Sequence, residues 1–246
     1  MSILGPAELL LMRESGRIVR RVLDELRAAS EPGTLTADLD RMAREMIETE
    51  GGTPSFLGLR GYPASICCSI NEQVVHGIPG DRTLSEGDLV SIDVGVLKNG
   101  FHADAADSFI LGEGSGTARR LLEATYAARD RGIEAAVAGN RLGDVGAAIQ
   151  EFVEAEGFSV VRDLVGHGIG QKLHEPPQVP NFGRRNSGMI LEEGLAIAIE
   201  PMVNVGTFRV RFLSDGWTVV TQDGSLSAHA EHTVVVTAGT PIVLTA

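Results

Sequence analysis

Residues Ser91–Phe109, SIDVGVLKNGFHADAADSF, decide the fold because they predict a β-hairpin with a fixed register. Two runs of β-branched or alternating residues flank Asn99-Gly100, a dipeptide that accepts the two positive φ angles of a type I′ turn. A shift of one residue would move every side chain to the other face, so the turn determines which residues share a face. Counting outward from a two-residue loop gives three cross-strand pairs: Lys98 with Phe101, Gly95 with Asp104, and Asp93 with Ala106.

This register makes Asp93 and Asp104 diagonal neighbours on one face of the hairpin. Diagonal positions are roughly 7–8 Å apart at the backbone, close enough for two carboxylates to share a metal ion or a metal pair. Gly95 and Ala106 beside them are small and are expected to leave room for a ligand. Asp107 faces the other, apolar side and is expected to be a structural partner or an edge residue. Taken alone, the hairpin also fits two solvated acids on an open face.

The composition predicts a soluble globular protein, and 246 residues are enough to bury roughly 70–75% of the unfolded surface without help from a metal or a disulfide. No apolar run has the length of a membrane span, and the first residues do not resemble a secretory signal. The only cysteines, Cys67 and Cys68, are adjacent, which suits a reducing, cytoplasmic location. A net charge of −12 with 4% aromatic residues argues against direct nucleic-acid binding.

Apolar periodicity predicts two amphipathic helices near the start of the chain, Ala7–Ser30 and a second one capped by Thr36 that ends near Glu50. The segment Gly33–Gly51 aligns with Gly139–Gly157, and the acidic and apolar positions of the two segments match. Such an internal repeat predicts two halves, each a helix pair with strands, around a pseudo-two-fold axis. We therefore expect one domain spanning 1–246, with halves of about 1–112 and 113–246.

Four further segments contain a His or a Glu of interest. Three place it beside Gly or Pro, NEQVVHGIPG, LVGHGIGQKLHEPP and AIAIEPMVN, and the fourth, SAHAEHTVVV, places two His around a Glu. Each is ambiguous alone, because a His beside Gly is often a turn residue and a Glu often ends a strand. Glu200 and Glu231, however, adjoin strongly β-prone runs and are expected to be buried, where an unpaired carboxylate costs several kcal/mol. Arg209 and Arg211 are the cations nearest to Glu200 in sequence. The candidate residues of these segments are His76, His167, His174, Glu200 and Glu231.

Four carboxylates and one imidazole would hold two divalent cations, whose charge offsets that of the carboxylates. Oxygen-rich ligation with one His suits Mn, Fe, Co or Zn. The H-E-x-x-H pattern of zinc peptidases is absent. The candidate metal ligands are Asp93, Asp104, His167, Glu200 and Glu231.

In this order, these candidates and the segments IDVGVLKNGFHADAADSF, GHGIGQKLHEPP, IEPMVN and EHTVVVT closely resemble a type I methionine aminopeptidase of the bacterial kind. The resemblance covers nearly the whole chain. It implies the pita-bread fold, an α/β (α+β) architecture of pseudo-two-fold duplicated helices around a curved antiparallel β-sheet. It also implies removal of the initiator methionine from the N-termini of nascent polypeptides when the second residue is small, through water activated by two metal ions.

The resemblance also assigns roles to individual residues. Asp93 would chelate one metal, Asp104 and Glu231 would bridge the two, and His167 and Glu200 would complete the other. Glu200 would also shuttle a proton, His174 would stabilise the oxyanion, and His76 would contact the substrate near the scissile amide. The family's methionine pocket and a monovalent cation site would include further residues. Tyr62, Cys67 and Trp217 match pocket positions, Phe56, Leu59 and Leu173 depart from the usual residues there, and Asn71, Gln73 and Ser227 fall at the cation site.

Two other interpretations remain open. Another pita-bread peptidase, such as a prolidase or aminopeptidase P, shares the five ligands but usually carries an additional N-terminal domain. A metal-free pita-bread adaptor is expected to have lost ligands, whereas all five are present here. We expect a monomer; association with the ribosome is compatible with the resemblance, although the acidity of the chain argues against contact through RNA alone.

Overall fold

The computed structural model describes residues 1–246. It contains four α-helices, one short 3₁₀ helix and fifteen strands. None of the helices combines the length and the apolar character needed to cross a membrane. The helices are α1 (Pro6–Ala29), α2 (Thr36–Thr49), α3 (Gly116–Ala135) and α4 (Leu142–Ala155), and the 3₁₀ helix is Leu59–Gly61. The strands are β1 (Thr53–Pro54), β2 (Ile66–Ile70), β3 (Gln73–Val75), β4 (Leu89–Lys98), β5 (Phe101–Ile110), β6 (Ser159–Val160), β7 (Gly166–Gly168), β8 (Glu175–Val179), β9 (Ala196–Ile199), β10 (Met202–Asn204), β11 (Val210–Phe212), β12 (Val219–Thr221), β13 (Ser227–His229), β14 (His232–Val235) and β15 (Ile242–Val243).

The predicted hairpin forms as β4 and β5, the two longest strands, and its register is the predicted one. Gly95 lies opposite Asp104, and Asp93 lies opposite Ala106. Asn99 has a φ of 52° and the following glycine has a φ of 81°, as a type I′ turn requires. Strand β4 is central, because β2 and β1 pair with its other edge. The acidic face of the hairpin is therefore anchored in the middle of a sheet.

The helices repeat at the spacing that the sequence alignment gives. Helix α2 begins and ends 106 residues before α4, and α1 ends 106 residues before the end of α3. Strand β1 precedes β6 by the same interval. Each helix pair covers its own apolar core, one against the hairpin and one against β9, β10, β13 and β14. The assignment of the chain to one domain with two halves stays a prediction.

Every pairing between the named strands is antiparallel, so the structure is the mixed α/β architecture with antiparallel sheets that the sequence predicts. Besides the hairpin sheet there are three others, with strand orders β13-β10-β6, β11-β12-β3 and β15-β14-β9-β7-β8. In the last of these sheets, His167 is the central residue of β7, and Glu200 directly follows β9.

Two local predictions have different outcomes. Asp107 is a structural partner, as expected, because its carboxylate accepts a hydrogen bond of 2.7 Å from Arg20 on α1. The prediction that Thr36 caps α2 is wrong, since Thr36 is the first helical residue and Leu35 precedes it as the cap. The Thr36 hydroxyl instead exchanges two hydrogen bonds with the backbone of Gly80. It therefore ties the start of α2 to the loop that leads into β4.

Replacing Gly100 by Ala should destabilise the hairpin, because Gly100 has a φ of 81° that a Cβ atom disfavours by about 1–2 kcal/mol. We expect a fall in melting temperature of about 2–4 °C for each kcal/mol lost. Gly116→Ala is the control, since Gly116 lies at the start of α3 with open space around it and no positive φ. Equal melting temperatures for the two variants would contradict the assigned turn.

Candidate metal centre

One cavity of about 450 Å³ brings the predicted site residues together. Residues from both halves of the chain line it, including every predicted metal ligand, every predicted catalytic residue and every predicted pocket residue except Leu173. Leu173 packs in the apolar cluster beneath the pocket. The predicted residues that line the cavity are Phe56, Leu59, Tyr62, Cys67, His76, Asp93, Asp104, His167, His174, Glu200, Trp217 and Glu231.

Hydrogen bonds between the two halves place Glu231 beside Asp104. The Glu231 N–H donates to the carbonyl of Ala106 at 2.9 Å. The hydroxyl of Thr233 donates to the carbonyl of Asp104 at 2.7 Å and accepts from its N–H at 3.0 Å. Asp104 and Glu231 are buried, with 3% and 2% exposure. The chain that leads into β14 is thus fixed along the acidic face of β5.

The possible ligand atoms converge at distances suited to a shared cation. One atom each from Asp104, His167 and Glu231 lies within 4.8 Å of the other two. The Nε2 atom of His167 is 3.5 Å from Asp104 Oδ2 and 3.6 Å from Glu200 Oε1. Ligand atoms that surround one ion at about 2.0–2.2 Å are separated by roughly 3.0–3.5 Å. These residues therefore fit divalent ions with little movement.

No lysine or arginine balances the negative charge of the site. Asp93 and Glu231 form no ion pair, and those of Asp104 and Glu200 are to histidines. The Oδ1 atom of Asp93 is buried and has no hydrogen-bond partner. Burial raises the pKa of Asp93 and of Glu231 well above the ordinary value, and the charge of Asp104 adds to both shifts. A site of this kind fits divalent cations, which supply the missing positive charge.

His167 is oriented to present Nε2 to this site. Its Nδ1 lies 3.0 Å from the carbonyl of Gly168, and a hydrogen on Nδ1 donated to that oxygen leaves Nε2 free as a ligand. Burial alone would lower the pKa of His167, but Asp104 and Glu200 raise it to about 9, so a metal ion that binds Nε2 near pH 7 would displace a proton from it. A glycine at position 166 is required because a Cβ atom there would lie 2.3 Å from the carbonyl oxygen of Ala198 in β9. The glycine therefore allows close strand packing, rather than forming a turn.

The absence of a side chain at Gly95 makes room for Phe56 and Ser55, not for an ion. A Cβ atom on Gly95 would lie 2.7 Å from the Phe56 ring and 2.9 Å from the side chain of Ser55. The expectation that this small residue leaves space for a ligand is therefore wrong at Gly95. The space is filled by Phe56, which lines the cavity.

Two more histidines face the cavity. The ring of His174 packs edge-on against that of His167, with 4.4 Å between the centroids. Partial burial in the cavity, together with His167, lowers the pKa of His174 to about 4, so its imidazole is neutral near pH 7. His76 has a φ of 58°, and burial lowers its pKa, although Glu200 opposes that shift.

The other end of the cavity is largely apolar. The rings of Tyr62 and Trp217 meet edge-on at 5.1 Å. The Tyr62 hydroxyl lies 3.0 Å from the carbonyl of Ile66 and donates to the backbone, so the ring is fixed in place. Phe56 and Cys67 are buried beside it. This combination of rings and a sulfur atom suits a flexible, polarizable side chain.

His229 is a residue that the sequence analysis missed. It has 2% exposure, and its Nε2 atom lies 3.6 Å from Glu200 Oε2. The signal was present in the segment SAHAEHT, where His229 is two residues before Glu231 and so falls on the same side of an extended chain. Arg209 and Arg211, the nearest cations in sequence, are exposed and form no ion pair with Glu200.

Two of the residues predicted for a monovalent cation are also close together. The Ser227 N–H donates to the carbonyl of Asn71 at 2.9 Å. Gln73 begins β3, two residues after Asn71, and its side-chain oxygen accepts a hydrogen bond from the N–H of Ile70. The cation itself stays a prediction.

Comparison with known proteins agrees with this geometry. The family model of metallopeptidase family M24 matches residues 10–238. The chain is 54% identical to a methionine aminopeptidase from Clostridium perfringens over 97% of this chain and 96% of that relative. It superposes on a solved methionine aminopeptidase from Thermotoga maritima with a TM-score of 0.98 and 42% identity, covering 100% of this chain and 99% of that one. A prolidase from Pyrococcus furiosus has the same fold, with a TM-score of 0.78 and 21% identity over 99% of this chain and 65% of its own.

The fold and the match define a metallopeptidase with the pita-bread architecture. The chain belongs to metallopeptidase family M24 and, within it, to the methionine aminopeptidases.

Asp93→Asn should stabilise the metal-stripped protein at neutral pH, because it removes a charge that burial and its carboxylate neighbours disfavour. The same change should reduce the stabilisation that added Mn²⁺ gives. Melting temperatures with and without Mn²⁺ measure both effects. Asp107→Asn is the control on the same hairpin: it breaks the bond with Arg20, so it should lower the melting temperature and leave the Mn²⁺ effect intact. A metal-stripped Asp93→Asn protein that melts below the wild type would contradict the assigned repulsion.

Proposed function

We propose that this chain removes N-terminal methionine from nascent polypeptides whose second residue is small, using two divalent metal ions. The observation that carries the proposal is the cluster of four carboxylates without a lysine or arginine partner, in a cavity that also contains an apolar pocket. Its 54% identity with a methionine aminopeptidase supports the same reaction. Asp93, Asp104, His167, Glu200 and Glu231 are proposed to hold the ions.

The pocket is proposed to bind the methionine side chain. Phe56, Cys67 and the ring pair of Tyr62 with Trp217 surround a narrow apolar space, and a thioether gains from contacts with rings and sulfur. Leu59 completes the lining beside Phe56. Selection of the N-terminal residue then depends on how well an unbranched side chain fills this space.

Bound divalent ions supply an attacking water of lowered pKa and polarise the scissile carbonyl. Glu200 is proposed to accept the proton of that water and to pass it to the leaving amine; in support, its carboxylate lines the cavity next to His167. His174 is neutral and can donate a hydrogen bond to the oxyanion without losing a proton. His76, which also lines the cavity, is proposed to contact the substrate near the scissile amide.

The proposed reaction also implies where the protein acts and on what. The substrate is the N-terminus of a chain under synthesis, so the enzyme is proposed to act in the cytoplasm, close to the ribosome, and as a monomer. The identity of the ions is proposed to lie among Mn, Fe, Co and Zn, since a site of carboxylates and one imidazole accepts all four.

The alternative peptidase activity to consider is that of a prolidase. The similarity to the prolidase structure is one of fold, at 21% identity. A non-catalytic adaptor is disfavoured by the presence of all five ligand candidates in one cavity.

Hydrolysis of Met-Ala-Ser by metal-stripped protein, titrated with Co²⁺, Mn²⁺, Fe²⁺ and Zn²⁺, tests the proposed reaction. We expect activity to return with metal. Leu-Ala-Ser should be cleaved much more slowly, because its side chain is branched, and Ala-Pro-Ala not at all, because alanine leaves the pocket unfilled. Cleavage of Ala-Pro-Ala in preference to Met-Ala-Ser would support the prolidase reading. Metal binding with no hydrolysis of any of the three would support the adaptor.

Glu200→Ala should abolish turnover of Met-Ala-Ser, because it removes both a metal ligand and the proposed proton shuttle. His174→Ala should lower kcat by about 10²–10³, the usual effect of losing one oxyanion donor. His102→Ala is the control, since His102 bonds to Ser55 and does not line the cavity. Near-normal kcat in either site variant would refute the role given to that residue.

A further inference from the structure

His229 stands out among the buried polar groups because nothing in the proposed reaction uses it. It ends β13, directly opposite Met202 of β10, and does not line the cavity. Its Nε2 atom is buried and has no hydrogen-bond partner. The Oε2 atom of Glu200 lies 3.6 Å from this Nε2 atom, slightly beyond hydrogen-bond distance. A buried imidazole nitrogen without a hydrogen-bond partner lowers the stability of the folded protein, so such a group calls for an explanation.

The backbone of His229 is held firmly. The hydroxyl of Ser108 on β5 donates to the His229 carbonyl at 2.7 Å and accepts from its N–H at 3.0 Å. Ser91 on β4 lies 2.6 Å from the same hydroxyl and completes its hydrogen bonding. Ser108 and Asp104 lie on the same face of the hairpin. The hairpin that carries two of the ligand candidates therefore also fixes the position of His229.

The two oxygens of Glu200 have different neighbours. Oε1 is 3.6 Å from His167, on the side of the metal ligands, and Oε2 is 3.6 Å from His229. His229 is outside the group of ligand atoms that converge within 4.8 Å, which comprises Asp104, His167 and Glu231. Since Glu200 is the one carboxylate within 4 Å of its Nε2 atom, His229 is placed to act through Glu200.

We propose that His229 is a positioning residue for Glu200: its Nε2–H donates to Oε2 and holds the carboxylate so that Oε1 faces the metal ions. Closure of the 3.6 Å distance by about half an ångström makes this a charge-assisted hydrogen bond. Residues that orient a metal ligand in this way commonly contribute 10–100-fold to metal affinity or activity. The inference rests on the proposed function, because it takes Glu200 to be a metal ligand and proton shuttle.

Titration calorimetry of the metal-stripped full chain with Mn²⁺ tests the positioning role independently of catalysis. His229→Leu should weaken binding of at least one Mn²⁺ ion by about 10–100-fold. His229→Gln should stay within about threefold of the wild type, because its amide nitrogen reaches as far as Nε2 and can donate to Oε2. At saturating Mn²⁺, His229→Leu should also lower kcat for Met-Ala-Ser and leave KM within about twofold, since His229 does not touch the substrate.

His232→Leu is the matched control. It removes a buried imidazole from the same segment, but the partner of His232 is Thr245. His229→Asn serves if His229→Leu does not fold, because its amide is polar yet too short to reach Glu200, and it should weaken Mn²⁺ binding at least tenfold. Wild-type Mn²⁺ affinity in His229→Leu or His229→Asn would overturn the proposal. Equal losses in His229→Gln and His229→Leu, or in His232→Leu, would do the same.

These measurements separate a failure of the proposed methionine aminopeptidase activity from a failure of the positioning role of His229. Wild-type protein that binds Mn²⁺ but does not hydrolyse Met-Ala-Ser contradicts the proposed function. The affinity differences between the His229 variants would still decide whether His229 orients Glu200.

Discussion

Repulsion among four carboxylates that share one cavity is the constraint on which the rest of the structure depends. Neither lysine nor arginine pairs with any of them, and burial raises the pKa of Asp93 and Glu231. An isolated buried charge costs several kcal/mol, a large fraction of the 5–15 kcal/mol by which a domain is stable. A fold that tolerates this cluster must hold the acids rigidly and must gain from cations that neutralise them. The hairpin holds the acids rigidly, and the spacing of ligand atoms around Asp104 and His167 suits the binding of cations.

The two halves of the chain join at this cluster. The hairpin contributes Asp93 and Asp104, while the second half contributes His167, Glu200 and Glu231. Backbone and hydroxyl hydrogen bonds between β5 and the chain from His229 to Thr233 connect the two sets, each worth about 1 kcal/mol net. Because most of these bonds involve the backbone, they fix the positions of the acids and leave most of the carboxylate oxygens available to ligate metal ions. The exception is Asp104 Oδ1, which lies 3.1 Å from the hydroxyl of Thr233.

The sequence predicts what depends on local rules. The register of the hairpin follows from Asn99-Gly100 and from the alternation of faces, so the approach of Asp93 to Asp104 could be predicted. The periodicity of the acidic and apolar residues likewise predicts the spacing of α2 and α4. The resemblance supplied the remaining ligand candidates and the pocket residues, since no local rule brings residues from distant segments together.

Contacts between distant segments could not be predicted in this way. The occupation of the space beside Gly95 by Phe56, the bonding of Thr36 to Gly80, and the approach of His229 to Glu200 all depend on how separate elements pack. His229 was within reach of a parity argument, because it is two residues from Glu231. The position of its unpartnered nitrogen next to the Glu200 carboxylate, however, depends on the packing of β13 against β10.

Anomalous diffraction from crystals of the metal-stripped protein soaked in Mn²⁺ tests most directly whether the carboxylate cluster holds divalent cations. We expect two anomalous peaks in the cavity, with Asp104 and Glu231 as ligands of both and His167 Nε2 within about 2.0–2.3 Å of one. A cavity with no anomalous peak at saturating Mn²⁺, in protein with intact fold, would contradict this expectation.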